Sequence, residues 1–206
     1  MKATKGIRHF KERVFPARKA EFEALAAGQS PELMLVTCAD SRIDPALLTQ
    51  TAPGDVFVIR NAGNFVPPYG EGSGGEAATI EYGIEALGIR HLAVCGHTHC
   101  GAMAAALDPS AADDLPAVRA WIRHAAPALD RVADLEGGAD PLTRAVAANV
   151  LTQIDHLRTH PSVAAAEARG ELQIHAWLYD FVEGELWVGG PTGRFVRIDD
   201  AEGAGA

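Results

Sequence analysis

The chain has 206 residues, 48% apolar and 22% charged, with 18 Lys and Arg against 27 Asp and Glu for a formal net charge of -9. That length supports one α/β domain whose core needs no disulfides, and the acidic balance argues against nucleic acid, which requires a basic face. Three cysteines are an odd number and point to a reducing cytoplasm. No apolar run nears the 18 residues of a membrane span, and no apolar stretch follows the N-terminal charges as a secretory signal would require.

Residues 7–27 have the pattern of a helix kinked near Pro16, with Phe10, Val14, Phe22 and Leu25 on its apolar face. Seven basic residues between Lys2 and Lys19 form its solvated side. The apolar run at 32–37 is a buried strand that delivers Cys38 at its carboxyl end. A short helix near 45–50 precedes a second strand over 55–60. A Gly-, Pro- and Asn-rich loop covers 61–75, and a helix over 76–87 closes at Gly88. The third strand, 91–95, delivers His97, and Cys100 opens a helix of small residues. Helices follow at about 116–135, 141–158 and 161–168. Strands at 172–181 and 185–188 flank Glu183-Gly184 as a hairpin.

The expected fold is therefore α/β: a central, mainly parallel sheet flanked by helices, with a C-terminal antiparallel edge hairpin and an N-terminal helical arm. The expected organisation is an arm over 1–28, one α/β domain over 29–200 and a flexible tail over 201–206. In such sheets ligands bind beyond the carboxyl ends of the strands, where both Cys38 and His97 fall.

Cys38, His97 and Cys100 are two thiols and an imidazole, a zinc donor set. Three protein ligands leave a fourth position, where catalytic zinc holds water. Cys95 lies inside an apolar strand, is expected to alternate away from His97, and is read as a core thiol. His99 lies between the ligands and is expected to be aimed elsewhere by the turn. Asp40 and Arg42, two residues apart, form a dyad in which the guanidinium keeps the carboxylate ionised. Asp40 can then either accept a hydrogen bond from zinc-bound water or bind zinc itself and close the site. The segment Gly70 to Gly75 formally contains G-x-G-x-x-G, but it follows Pro67-Pro68-Tyr69 rather than a strand, so it is read as a helix-entry loop.

Cys-Ala-Asp-Ser-Arg at 38–42, Arg-Asn-Ala-Gly-Asn at 60–64, Ile-Glu-Tyr at 80–82 and His97-x-x-Cys100-Gly101, in this order, resemble the β-class carbonic anhydrases. Trp-Leu-Tyr-Asp at 177–180 is similar to that family's later strand region, and the resemblance spans about 30–190. It implies one Zn²⁺ per subunit on Cys38, His97 and Cys100, beside the Asp40–Arg42 dyad. It implies reversible hydration of CO₂ to bicarbonate and a proton by zinc-hydroxide attack. It also implies Gln29 as a substrate-orienting residue, Phe57 and Tyr82 as apolar pocket residues, and Gly101 as a backbone N–H facing the substrate. One subgroup carries Trp three residues before the first ligand, as part of a bicarbonate site. Leu35 stands there in this chain, which places it with the plant-like, open-site subgroup. The family's pockets draw on two subunits, so a homo-oligomer built from dimers is implied.

The alternatives are a related zinc hydrolase of CS₂ or COS, and a non-catalytic interaction protein with zinc closed by Asp40. Two thiolates cancel the formal charge of Zn²⁺, so it is a weaker Lewis acid than a three-His zinc. CO₂ hydration should therefore be favoured at mildly alkaline pH. A pH–rate profile flat down to about pH 6, where histidine normally titrates, would contradict this.

Overall fold

The computed structural model describes residues 1–71, 74–134, 140–190 and 192–201. The chain divides into two compact units, Met1–Ser30 and Pro31–Ala206. In the first, α1 (Lys2–His9) runs into a π-helical turn over Phe10–Val14, then α2 (Phe15–Ala17) and α3 (Lys19–Leu25). The helix thus begins earlier than its apolar pattern suggested. Pro16 cannot donate to the carbonyl four residues back, and the chain responds with the wider turn before it. The helical run then breaks at Arg18 (φ -113°, ψ 13°). None of these helices buries a residue. Their apolar side is a cluster of Phe10, Phe15 and Phe22, with ring centroids 5.4–6.1 Å apart.

The second unit is built on a six-stranded sheet in the order β2-β1-β3-β4-β5-β6. The strands are β1 (Leu33–Cys38), β2 (Val56–Asn61), β3 (His91–His97), β4 (Gln173–Asp180), β5 (Glu185–Gly189) and β6 (Phe195–Arg197). β2, β1, β3 and β4 are mutually parallel, whereas β5 and β6 return antiparallel. The mixed sheet agrees with the expected fold class. The C-terminal part is larger than a hairpin, because β6 pairs with β5 and forms the edge. A three-residue strand is too short to show a period-two pattern, so it left no sequence signal.

β1 and β3 are buried on both faces, which explains their continuous apolar character. Met34, Val36, Leu92 and Val94 face one way, into a cluster with Val150, Ile154 and Leu157. Leu35, Ala93 and Cys95 face the other way, against Leu48, Trp177 and Tyr179.

The helices of this unit are α4 (Pro45–Thr49), α5 (Gly75–Glu81), α6 (Gly101–Leu107), α7 (Pro116–Ile122), α8 (Ala126–Arg131), α9 (Pro141–Arg158), α10 (Pro161–Ala168) and α11 (Ile198–Ala201). α9 packs on β3 and β4. The helix expected over 116–135 is divided into α7, a 3₁₀ turn, α8 and a second 3₁₀ turn after it. Pro127, at the start of α8, removes a donor from its middle. Position 135 of that expectation lies outside the described residues, as do 72 and 73 of the glycine fingerprint and 202–206 of the tail. Among the described residues no helix is long and apolar enough to cross a membrane.

α9 begins with a strong cap. Asp140 Oδ1 accepts the backbone N–H groups of Leu142 (3.0 Å) and Thr143 (3.1 Å), and Oδ2 accepts the Thr143 hydroxyl at 2.6 Å. Asp140→Ala should destabilise the protein by about 1 kcal/mol in a denaturant titration near neutral pH. The hydrogen bond from the Thr143 side chain, with the backbone donors, lowers the Asp140 pKa. A depressed folded-state pKa stabilises fully above the ordinary carboxylate range and is lost as pH falls through the folded value. The gap between Asp140→Ala and the parent chain should therefore narrow in acid.

Candidate metal centre

Parallel pairing brings the three cysteine and histidine ligands to one edge. β1 and β3 align Leu33 with His91 and Thr37 with Cys95, so their carboxyl ends emerge side by side. Cys38 is the last residue of β1, aligned with Asn61 of β2, and His97 is the last of β3, aligned with Tyr179 of β4. The chain turns at His99 with a left-handed φ of 57°, and Cys100 becomes the N-cap of α6. The ligand atoms of Cys38, His97 and Cys100 all lie within 4.8 Å of one another. All three side chains are buried.

The polar bookkeeping of the site fits zinc. His97 Nδ1 lies 2.8 Å from the Thr98 carbonyl and must donate to it, which leaves Nε2 with a free lone pair. That Nε2 is buried without a hydrogen-bond partner among the described residues. A buried imidazole nitrogen without a partner is costly, and a metal bond satisfies it. The Gly63 amide donates to Cys38 Sγ at 3.3 Å. The Cys38 thiol is pulled down to about 4, first by its hydrogen bond with Cys100, and further by His97 and the Gly63 amide, against the effect of burial. Cys100 moves the opposite way, because it holds the proton of the shared S–H···S⁻ pair and is itself buried. Metal binding replaces that proton and makes both sulfurs thiolate donors.

Asp40 and Arg42 form the dyad beside this cluster. The Arg42 amide and Nε donate to Asp40 Oδ1 at 3.0 and 2.9 Å, and Nη2 donates to Oδ2 at 2.7 Å. The Arg42 hydrogen bonds hold the carboxyl well below the usual carboxylate range. Arg42 also donates to the His99 carbonyl at 3.0 Å and lies 4.5 Å from the Phe181 ring centroid. Asp40 Oδ2 is 3.9 Å from His97 Nε2.

Cys95 is a core thiol for a different reason from strand alternation. Two residues from His97, it occupies a position of the same face. It is separated from the ligand edge by about 7 Å along the strand, and it packs with Leu35 and Ala93. Burial pushes this thiol up to about 12, so it stays protonated.

Of the remaining sequence-predicted residues, only Gly101 adjoins the ligands. Gly101 follows Cys100 directly at the start of α6. Phe57 pairs with Met34, four residues before Cys38, hence about 13 Å along the strands from the ligand edge. Its ring centroid is 6.2 Å from that of Tyr82, which is 52% exposed. The single chain therefore does not bring Phe57 and Tyr82 to its own ligands. Gln29 belongs to the first unit, beyond its last helical turn.

Several supporting residues escaped the sequence reading. Arg60 donates to the carbonyls of Cys38, Asp40 and Ile43 at 2.9–3.0 Å and so shapes the turn that carries the dyad. Asn61 accepts from the Phe65 amide at 2.9 Å and donates to its carbonyl at 2.8 Å, which closes the 61–65 loop. The Thr98 amide donates to the Tyr179 carbonyl at 3.0 Å, which ties the ligand turn to β4. For Arg60 and Asn61 the only sequence signal was the Arg-Asn-Ala-Gly-Asn segment.

Residues 33–186 match the family model described as "Carbonic anhydrase". A carbonic anhydrase of Synechococcus elongatus is 47% identical over 189 residues, covering 90% of this chain and 70% of the relative. The solved β-carbonic anhydrase CcaA superposes with a TM-score of 0.89 at 42% identity, over 95% of this chain and 90% of that one. Tetrameric β-carbonic anhydrases from Sordaria macrospora superpose with a TM-score of 0.71 at 28% identity, over 92% of each chain.

Cys38→Ala and His97→Ala should each lose the metal, as read by elemental analysis of the purified protein. Cys95→Ala should retain one zinc per chain while melting at lower temperature, because it removes a packed sulfur from the core.

Proposed function

We propose that this chain, which belongs to the β-class carbonic anhydrases and catalyses the reversible hydration of CO₂ to bicarbonate, works with an open fourth zinc position guarded by Asp40. Cys38, His97 and Cys100 would hold the zinc, which would supply a water acidic enough to attack the carbon of CO₂, its pKa being about 7 in carbonic anhydrase itself. The observation that carries the open-site reading is the engagement of Asp40 by Arg42. Both carboxylate oxygens already accept from Arg42, through three hydrogen bonds. A carboxylate so engaged loses that bonding if it moves to close the site as a ligand. Held ionised, it accepts a hydrogen bond from the nucleophile's O–H and aims the lone pair, without retaining the proton.

The Gly101 N–H and Gln29 then stabilise oxygens of the forming bicarbonate. Space supports the first role, since a Cβ on Gly101 would meet no atom within 4 Å. Gln29 keeps its role on its position, nine residues before Cys38. Phe57 and Tyr82 line the apolar pocket of a neighbouring subunit, a role supported by their displacement from this chain's own ligand edge. The assembly is accordingly a dimer or a multiple of dimers, in line with the tetrameric Sordaria relatives. Leu35, fully buried against Ala93 and Cys95, supports the plant-like subgroup. The free thiols support a reducing, cytoplasmic setting.

Stopped-flow CO₂ hydration with and without chelation tests the reading. Zinc-loaded Asp40→Asn should lose at least about 100-fold in turnover. Full turnover in a zinc-loaded Asp40→Asn protein would remove Asp40 from the mechanism.

A further inference from the structure

The loop after β2 places one peptide group against a zinc ligand. The Gly63 N–H that reaches Cys38 Sγ belongs to the Ala62–Gly63 peptide, whose carbonyl is Ala62 O. That carbonyl accepts the indole N–H of Trp121, on α7, at 2.8 Å. The next carbonyl, Gly63 O, accepts the Asn149 side-chain N–H at 3.0 Å, from α9. Gly63 has φ +83°, and a Cβ there would sit 2.7 Å from the Phe65 ring, so only glycine fits. Glycine also restrains its flanking peptides least, so their orientation depends on outside anchors. Trp121 and Asn149 are those anchors.

Both are well supported. Trp121 packs on Phe65 with ring centroids 6.0 Å apart. Asn149 is fully buried, and its Oδ1 accepts from Gln153 Nε2 at 2.9 Å. Gln153 in turn accepts the Val66 amide at 2.7 Å and donates to the His124 carbonyl at 3.2 Å.

We propose that Trp121 and Asn149 are positioning residues that act on the zinc through the Gly63 N–H and the Cys38 thiolate. Trp121 bonds the carbonyl of that N–H's own peptide, and Asn149 holds the following Gly63–Asn64 peptide and so fixes its direction. A carbonyl that accepts a hydrogen bond polarises its own peptide and strengthens the N–H at the other end. A thiolate that accepts a stronger N–H donates less charge to the metal. The Trp121 bond therefore restores part of the Lewis acidity that two thiolates remove, and the Asn149 bond keeps the Gly63 N–H aimed at the sulfur. The proposal rests on the zinc-ligand reading above.

The test uses cobalt(II)-loaded full-length protein and follows the thiolate-to-cobalt charge-transfer band together with kcat/KM for CO₂. Trp121→Phe keeps an aromatic ring but lacks the indole N–H. It should bind one cobalt, move the band to longer wavelength and lower kcat/KM about tenfold. Asn149→Ala should move the band in the same direction and serves if Trp121→Phe does not fold. Val163→Ala, a core change outside the cluster that holds Cys38 and Phe65, should lower stability and leave the band in place. An unmoved band in a cobalt-loaded Trp121→Phe or Asn149→Ala protein overturns the proposal, even if activity falls. Absence of any thiolate band in the parent protein would instead overturn the ligand assignment, and this proposal with it.

Discussion

The site depends on the parallel register of β1 and β3. Parallel strands leave the sheet in the same direction, so residues at their carboxyl ends are neighbours although distant in sequence. With Thr37 opposite Cys95, Cys38 and His97 end adjacent strands within one residue of level. A slip of one residue in either strand would turn its ligand to the other face. The apolar residues on both faces of β1 and β3 resist such a slip, since every side chain from Met34 to Val36 and from Leu92 to Cys95 would exchange environments. The core thus serves as the alignment device of the metal centre. Cys100 needs no third strand, because the left-handed turn at His99 folds it back beside His97.

Around this edge, charge is arranged so that each group has one task. The two sulfurs and the orphaned Nε2 of His97 point at a common centre. Asp40 is close enough to interact with anything bound there, yet its oxygens are committed to Arg42. Arg42 is itself tethered to the His99 carbonyl and stacked against Phe181. The dyad is therefore attached to the same turn that carries Cys100, which ties the carboxylate to the ligand set.

Much of this was legible in the chain of letters. Unbroken apolar runs ending at Cys38 and just before His97 identified buried parallel strands, and the chemistry of two thiols and an imidazole identified the metal. The spacing of Asp40 and Arg42 was enough to expect their ion pair. Other features left weak signals. β6 was too short to carry a pattern, and the proline-bearing helices fragmented in ways that apolar spacing does not record. The ladder of buried Asn149 and Gln153 and half-buried His156 on α9 is not singled out by the sequence, which signals only a helix over 141–158. In the fold it faces inward, where Gln153 and His156 hold the amide and carbonyl of Val66. Leaving such a buried amide unpaired would cost about 1–3 kcal/mol, so it exists only because the loop supplies partners.

The sequence by itself determined the class of sheet, the identity of the metal donors and the family to which the chain belongs, because side-chain periodicity and ligand chemistry are local properties of the residues. Only the tertiary structure decided which faces and partners those residues meet. It showed that Cys95 is withheld from the metal by distance along the strand rather than by alternation. It showed that Phe57 and Tyr82 stand away from their own chain's ligands. It also showed that Trp121 and Asn149 bracket the peptide facing Cys38. These are contacts between segments far apart in the chain, set by register and packing, and no spacing along the chain encodes them.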